Sequence, residues 1–205
     1  ATWNRRGIPV IHFDQSGLDI VAFQTIDGQH LSALKALCTD FKQSPDWSGI
    51  NETITNELIQ SIKSISNPSE TSEINVSMVP KLETETYTTQ DNYNAVDETI
   101  EEIDLDGNVT STAYYLNGWM KSSQIDKGPS VDAITYNARG QRAVVNYGNQ
   151  VVKSYSYDPI NFRLTQIKSV YTPNEKVIQD YSYIYDPLGN VWSLTCNNVP
   201  TTFFN

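Results

Sequence analysis

The sequence is poor in basic residues, and this scarcity excludes two classes of partner. Among its 205 residues, 14 Lys and Arg stand against 24 Asp and Glu, so the formal net charge is −10 at pH 7. A nucleic-acid binder needs a basic face to displace counterions, and a protein that docks on anionic lipid needs one as well. The sequence also lacks an apolar run of about 18 residues, the length that a membrane-spanning helix needs. Neither a nucleic-acid partner nor a membrane span is therefore predicted.

Cysteine and histidine are equally scarce. Cys38 and Cys196 are too few for a disulfide scaffold or a four-cysteine zinc site. Two free thiols are the favoured interpretation, with a single Cys38–Cys196 disulfide as the alternative. His12 and His30 are the only imidazoles, and neither lies in a hydrolase motif or beside a glycine-rich phosphate loop. We therefore expect no enzyme activity, no cofactor and no metal.

One acidic stretch resembles half of a calcium-binding loop. Glu102, Asp104, Asp106 and Gly107 match its first positions, but Ala113 stands where a bidentate Glu is required. A hairpin with its turn at Asp106-Gly107 is the favoured interpretation.

What the sequence does have is tyrosine, with 12 Tyr against 6 Phe. A short pattern recurs in which an aromatic residue is followed by Asp or Asn, two variable residues and Gly. It occurs at residues 3–7, 13–17, 136–140 and 185–189, and at 157–161 with Asn161 in place of Gly. Asp or Asn caps a turn through its side-chain oxygen, Pro suits the next position, and Gly or Asn adopts a positive φ. The pattern predicts structural turns at Phe13, Asp14, Gly17, Tyr136, Asn137, Gly140, Tyr157, Asp158, Pro159, Tyr185, Asp186, Pro187 and Gly189.

The spacing of apolar residues predicts a mainly β fold. Residues 151–157 and 177–185 alternate with period two, which indicates consecutive antiparallel hairpins with tyrosine ladders across neighbouring strands. Helical spacing predicts a short helix over 53–65. Residues 31–41 fit a helix, or alternatively a strand beside the Asp27-Gly28 turn. We expect hairpins over 1–50, a polar insertion or linker with a short helix over 51–80, and a β-strip over 81–205.

Two further sets of residues are candidate sites. Asn51, Asn75 and Asn108 begin Asn-x-Ser/Thr triplets, so they are candidate glycosylation sites if the chain passes through a eukaryotic secretory pathway. The tyrosines and the four tryptophans, Trp3, Trp47, Trp119 and Trp192, could form a sugar-binding surface. Packing of aromatic residues on the sheet is the favoured interpretation.

The ordered series of turn motifs resembles the YD repeats of the Rhs family, and most closely the YD-repeat region of the B component of insecticidal toxin complexes (Tc toxins). The segments that carry the resemblance most strongly are 135–142, 157–159 and 185–191. Upstream, 40–47 and 82–87 also resemble that family.

The resemblance implies a β-strip that coils into a hollow, cocoon-like shell around a cytotoxic polypeptide and is secreted. It also implies, as partners, other YD-repeat shell segments or a C-type component, together with the enclosed toxin. A chain of 205 residues is expected to be one section of such a strip. The family's self-cleaving aspartyl core has no counterpart in this sequence, and Asp158 and Asp186 belong to repeat turns. The alternative is an extracellular glycan- or protein-binding module of a YD-repeat adhesion protein.

Overall fold

The computed structural model describes residues 9–40, 42–126 and 128–198. Within them it has one α-helix, α1 (Glu52–Ser64), two short 3₁₀ helices (Pro68–Glu73 and Thr172–Asn174) and thirteen β-strands. The strands are β1 (Ile11–Phe13), β2 (Gly17–Gln24), β3 (His30–Cys38), β4 (Leu82–Tyr93), β5 (Thr99–Ile103), β6 (Val109–Tyr114), β7 (Met120–Ile125), β8 (Val131–Tyr136), β9 (Arg142–Tyr147), β10 (Val151–Tyr157), β11 (Leu164–Tyr171), β12 (Lys176–Tyr185) and β13 (Val191–Cys196).

The strands form one open sheet in which spatial order follows chain order from β1 to β13. The strand pairings that join sequential neighbours are antiparallel, as in the β12–β13 hairpin. The prediction of a mainly β fold made of consecutive hairpins is therefore confirmed. The chain divides into two compact units, a first unit (Ala1–Thr110) and a second unit (Ser111–Asn205).

In the first unit, the connection between β3 and β4 folds over the sheet and creates a hydrophobic core. Buried side chains of β2 and β3 supply one layer, and α1 with the segment after it supplies the other. The buried cluster consists of Leu18, Ile20, Ala22, Leu34, Ala36, Leu58, Ile62, Ile65, Ile74, Val76 and Val79.

The helix begins where the sequence predicts it. The side-chain Oδ1 of Asn51 accepts a hydrogen bond of 3.0 Å from the backbone N–H of Ile54, which satisfies one of the unpaired donors of the first turn. Leu58 and Ile62 then lie on the buried face at the i, i+4 spacing of a helix. The prediction of a short helix near 53–65 is confirmed.

Residues 31–41 do not form the helix that was one of the two predictions. Residues 30–38 form strand β3, in which Ser32, Leu34, Ala36 and Cys38 are buried and the residues between them are less so. Leu31, Leu34 and Leu37 fit a helical spacing by sequence, but pairing of β3 with β2 and β4 imposes period two. Phe41 lies outside the described residues.

The second unit is a thinner sheet with few buried side chains. Among its described residues, Ile134, Val145 and Ser169 are buried, and no α-helix covers them. Tyr155 of β10 pairs with Ile167 of β11, and Ile167 pairs with Tyr181 of β12. The two predicted tyrosines therefore lie on the same face of the sheet. The expected ladder of tyrosines on adjacent strands is therefore corrected, since an isoleucine lies between them.

Both cysteines are free thiols, with Cys38 buried and Cys196 partly exposed. Burial raises the pKa of the Cys38 thiol. Among the helices of the described segments, none combines the length and the hydrophobicity needed to cross a membrane.

Candidate functional site

Alternate connections of the second unit lie at one end of its strands, and we call them the turn edge. They are residues 115–119 between β6 and β7, 137–141 between β8 and β9, 158–163 between β10 and β11, and 186–190 between β12 and β13. Three of the four contain a predicted turn motif, so the turn edge is where the sequence-predicted residues collect.

The turn at 186–190 shows how the motif folds. The backbone N–H of Asp186 donates to the carbonyl of Asn190 over 3.0 Å, and that of Gly189 donates to the carbonyl of Asp186 over 3.1 Å. Gly189 has a φ of 99°, which glycine adopts without steric strain. The Asp186 Oδ1 also accepts from the N–H groups of Gly189 (2.7 Å) and Asn190 (2.9 Å).

The turn at 137–141 has the same geometry. The N–H of Asn137 donates to the carbonyl of Gln141 over 2.9 Å, and that of Gly140 donates to the carbonyl of Asn137 over 3.0 Å. Gly140 has a φ of 80°. The Asn137 Oδ1 accepts from the N–H groups of Arg139 (2.9 Å) and Gln141 (3.1 Å).

Four more turns share this backbone pattern without the complete sequence motif. They are 25–29, 94–98, 104–108 and 115–119, whose fourth residues have positive φ. The sequence predicted turns at Asp27-Gly28 and Asp106-Gly107, and it did not predict the other two. The usable signal is the residue at the fourth position, which is Gly28, Asp97, Gly107 or Gly118. In the 104–108 turn, Asp104 Oδ1 accepts from the N–H groups of Asp106 and Asn108, so the favoured hairpin forms there.

The turn at 158–163 differs from the prediction at one residue. It is one residue longer, because the N–H of Asp158 donates to the carbonyl of Arg163 over 2.8 Å. The extra residue moves the positive φ from Asn161, where the motif placed it, to Phe162, whose φ is 62°. Asp158 still acts as the cap, since its Oδ1 accepts from the N–H groups of Ile160 and Asn161 at 2.8 Å each.

The turn at Phe13–Gly17 also departs from the common geometry. Asp14 Oδ1 accepts from the N–H groups of Ser16 (2.7 Å) and Gly17 (2.9 Å). Gly17 is the first residue of β2, and a Cβ atom there would lie 2.0 Å from the carbonyl oxygen of Ala36. Glycine is therefore required by close backbone approach. The related motif at 3–7 lies outside the described residues.

The tyrosines of the motif have a common role that phenylalanine could not fill. The hydroxyl of each tyrosine donates to a backbone carbonyl oxygen 2.8 Å away. The carbonyl belongs to the first residue after the preceding turn of the turn edge. The pairs are Tyr136 with Met120, Tyr157 with Arg142, and Tyr185 with Leu164. Each hydroxyl thus joins one hairpin to the one before it. Pro159 and Pro187, which follow Asp158 and Asp186, take no part in these hydrogen bonds.

Side chains also connect each turn to the next. The Trp119 ring packs on Gly140, where a Cβ would lie 2.6 Å from its Cζ2 atom. The Arg139 guanidinium lies 3.2 Å from the centroid of the Phe162 ring, and Gln141 Nε2 donates to the Phe162 carbonyl over 2.8 Å. These contacts hold Phe162 in its left-handed conformation.

The last step along the turn edge uses Arg163. Its Nη1 donates to the Asp186 carbonyl over 3.1 Å, and its guanidinium carbon lies 5.5 Å from the centroid of the Tyr185 ring. A Cβ at Gly189 would lie 2.6 Å from Arg163 Nη2. The four turns are therefore linked in sequence by side chains as well as by the sheet.

The aspartates of these turns are hydrogen-bond caps, and their pKa values show it. The pKa of Asp186 is lowered by hydrogen bonds from the Asn190 side chain and backbone. The pKa of Asp158 is lowered by the backbone N–H groups of Asn161 and Ile160. A carboxylate that accepts several N–H bonds is held in its charged form, and this environment is the opposite of the one that raises the pKa of a general acid.

No protein-family model matches the chain. Among curated proteins it is similar to toxin subunits YenC1 and YenC2 of Yersinia entomophaga, being 29% identical to each over 210 and 213 residues. Each match includes 98% of this chain, which spans only 19% and 20% of those two relatives. Among solved structures, the crystal structure of TcdB2-TccC3-Cdc42 matches 97% of this chain and 8% of its own, with a TM-score of 0.74 and 28% identity. A Photorhabdus luminescens Tc holotoxin pore matches 95% of this chain and 8% of its own, with a TM-score of 0.73 and 28% identity.

In sequence and in fold, the chain is similar to the YD-repeat region of Tc toxin components. The resemblance that the turn motifs suggested is confirmed, and the likeness extends to proteins named as C as well as B components. The open sheet of this YD-repeat segment matches a strip of the Tc toxin shell.

One group of potential metal ligands occurs in the described part of the YD-repeat segment. One ligand atom from each of His12, Asp14 and Asp19 lies within 4.8 Å of the others. Lys35 Nζ lies 3.0 Å from Asp19 Oδ1, and Asp14 accepts bonds from its own turn. Both carboxylates therefore already have partners, and the group does not by itself indicate a metal site.

Of the candidate glycosylation residues, Asn51 and Asn75 are exposed and Asn108 is partly buried, and each has a local structural role. Asn51 caps α1, and Asn75 Oδ1 accepts from the N–H of Ser77 over 2.9 Å. The Asn108 Nδ2, the atom that would carry a glycan, donates to Asp104 Oδ2 over 2.9 Å. Glycosylation of these residues stays a prediction.

The tryptophans do not gather into a single surface. Trp47 packs on Phe13 with ring centroids 5.1 Å apart, and its Nε1 donates to the Asp14 carbonyl over 2.8 Å. Trp119 lies on the turn edge, Trp192 is 78% exposed on β13, and Trp3 is outside the described residues. The described tryptophans, Trp47, Trp119 and Trp192, therefore lie in different places.

Proposed function

We propose that this chain is a wall segment of a secreted Tc-type toxin shell, which encloses a cytotoxic polypeptide for delivery. Its role is structural, without an enzymatic activity of its own. The observation that carries the proposal is the repeated linkage of hairpin to hairpin along the turn edge, exemplified by the bond from Tyr185 Oη to the Leu164 carbonyl.

The chain order of the strands supports a wall. Because each strand pairs with its sequence neighbours, the sheet extends as a strip whose width is the length of one strand. A strip that coils protects its edges, which would otherwise pair with other chains. Other YD-repeat segments or a C-type component are the proposed partners at those edges.

The thin second unit supports a wall with two distinct faces. Lys153 and Ser169 are paired across β10 and β11 on one face, and Ser154 and Lys168 are paired on the other. Successive residues of a strand point to opposite faces. In a shell, one face would contact the enclosed polypeptide and the other would not.

The two faces allow a test with a matched control. A photoreactive residue is introduced at position 153 or at position 154 of the full-length protein that contains this segment, assembled with its Tc partner and payload. A shell wall is expected to give payload cross-links from one of these adjacent positions and not from the other. Equal cross-linking from both positions, or none from either with an intact assembly, would contradict the proposal.

A further inference from the structure

A sugar-binding surface is one of the two interpretations of the aromatic residues, and one cleft of the second unit brings three of them together. It lies between the 115–119 turn and the end of β8 and has a volume of about 520 Å³. Its lining residues are Tyr115, Leu116, Asn117, Trp119, Thr135 and Tyr136. Small-molecule sites commonly have volumes of this order, with aromatic walls and a few polar groups.

The aromatic rings of the cleft are held in place before any ligand arrives. The Tyr136 ring lies 5.0 Å from Trp119 and 6.2 Å from Tyr115, measured between centroids. The hydroxyl of Tyr115 donates to the Ile134 carbonyl over 2.9 Å, and that of Tyr136 donates to the Met120 carbonyl. Because these hydroxyls are engaged, the two tyrosines present their rings rather than their polar tips. Fixed rings reduce the entropy that binding must overcome.

The chemistry of the lining selects a neutral ligand with one apolar face and several hydroxyl groups. None of the six lining side chains is charged, and the chain as a whole is acidic, which disfavours an anion. Aromatic ring faces are partially negative, so they attract the polarised C–H groups on the face of a pyranose ring.

Polar groups at the rim complete the match. Thr135 and Asn117 are exposed, and Asn117 Oδ1 accepts from the backbone N–H of Trp119 over 3.2 Å. Within the described residues, the indole N–H of Trp119 has no hydrogen-bond acceptor, and the side chain is 37% exposed. An indole N–H and a threonine hydroxyl are suitable partners for sugar hydroxyls.

We propose that this cleft binds a neutral mono- or disaccharide, with the pyranose ring against Trp119 and Tyr136. The proposal is independent of the shell function, since a wall segment could carry such a site on its surface. Packing against Gly140 positions the Trp119 indole. The part of the indole that remains exposed is available for contact with a sugar.

The test is ligand-observed NMR of the purified chain with cellobiose, maltose and N,N′-diacetylchitobiose as probes. At least one disaccharide is expected to bind with millimolar affinity. Trp119→Ala should weaken binding by about tenfold or more, whereas Trp192→Ala, which removes an exposed tryptophan elsewhere, should leave binding unchanged. Thr135→Arg supplies a second variant, because it fills the rim without removing the aromatic packing, and it should abolish binding in a protein with the wild-type melting temperature.

Three outcomes would overturn the proposal. The first is no binding of any probe by the folded chain at concentrations far above the millimolar range. The second is an equal loss of binding in Trp119→Ala and Trp192→Ala. The third is binding of a proline-rich peptide without binding of any sugar, because that result would assign the cleft to a polypeptide. None of these outcomes bears on the cross-linking test of the shell.

Discussion

The two units keep similar hairpins in order by different means. In the first unit, α1 and the segment after it bury the apolar faces of β2 and β3, and Leu18, Ile20 and Leu58 have no exposed surface. In the second unit, Ile134 and Val145 are the buried apolar side chains of the described residues. Burial of apolar area is the main source of stability in most domains, so the second unit must depend more on its turns and on bonds between hairpins.

This difference explains what the YD motif does. Where a second layer covers the sheet, hairpin order follows from the core. Where the described residues include no such layer, tyrosine hydroxyls and turn-to-turn contacts such as that of Arg163 with Asp186 fix the register. Three of the five occurrences of the motif lie in the second unit, at 136–140, 157–161 and 185–189, and the other two, at 3–7 and 13–17, lie in the first.

The largest effect is expected in the core of the first unit. Leu58→Ala removes a fully buried side chain of α1 and should reduce the free energy of unfolding by about 2–5 kcal/mol. Chemical denaturation of the wild-type chain and of the variant measures this loss of unfolding free energy. Gln60→Ala on the exposed side of the same helix should change stability by no more than about 0.5 kcal/mol. Similar losses in the two variants would show that the helix does not contribute to the core.

The next effect concerns a turn of the second unit. Gly189→Val places a β-branched residue at a φ of 99° and against Arg163, and should destabilise the chain by about 1–3 kcal/mol. Gly107→Val shares the positive φ but has open space around it, so its loss should be smaller. Gly49→Val is the control without positive φ or a near neighbour. Equal melting temperatures for the 189 and 49 variants would refute the assigned turn.

A smaller effect is expected from single hydroxyl groups. Tyr185→Phe removes the bond to the Leu164 carbonyl and should lower stability by about 0.5–1.5 kcal/mol. Tyr183→Phe is the matched control on the same strand and face, since the Tyr183 hydroxyl makes no hydrogen bond that the described segments reveal. If both variants melt alike, the bond between hairpins contributes nothing and the comparison of the units fails.

The smallest effect is expected from pH, and its sign differs between two aspartates, Asp186 of the second unit and Asp91 of the first. The pKa of Asp186 is lowered by its bonds with Asn190, so this group adds stability above the unfolded-state pKa of about 3.9. That contribution is lost as pH falls through the lower folded-state pKa. Thermal melts between pH 7 and 2 should therefore show a smaller acid-induced loss in Asp186→Asn than in the wild-type chain.

Asp91 of the first unit should respond in the opposite direction. Its pKa is raised by burial and by the neighbouring Glu102 carboxylate, so ionisation of Asp91 lowers stability at neutral pH and ceases to do so in acid. Asp91→Asn should raise the melting temperature at pH 7 and have little effect near pH 3. A lower melting temperature at pH 7 would contradict this sign.

Much of the fold followed from local sequence signals, because turns and helix faces are determined by nearby residues. The Asp-Pro turns, the 53–65 helix and the hairpin at Asp106-Gly107 are of this kind. The conformation of residues 31–41 was ambiguous because leucines at 31, 34 and 37 fit both periods, and pairing with β4 decides between them. The shift of positive φ to Phe162 comes with the extra residue of the 158–163 turn, and the Arg139 guanidinium against the Phe162 ring comes from the preceding turn; no local pattern reveals either.

The candidate site was less accessible to sequence reasoning. The tyrosine hydroxyls donate to backbone carbonyls, and the strand register determines which carbonyl lies within reach. Because every residue has a backbone carbonyl, the sequence does not mark the acceptor. Trp119 and Tyr136 were recognised as aromatic residues, but their meeting with Tyr115 depends on the position of two hairpins.

The alternation of turns between the two ends of the sheet has a consequence for how such strips can evolve. Corresponding turns of the turn edge begin at residues 115, 137, 158 and 186, two strands apart each time. Duplication of a two-strand unit would provide every new tyrosine hydroxyl with a carbonyl acceptor in the preceding hairpin. It would also leave each side chain on the same face of the sheet as before. Duplication of one strand would send the next turn to the opposite end and break that relation. Growth by pairs of strands therefore lets a gene lengthen the strip without altering any existing contact along it.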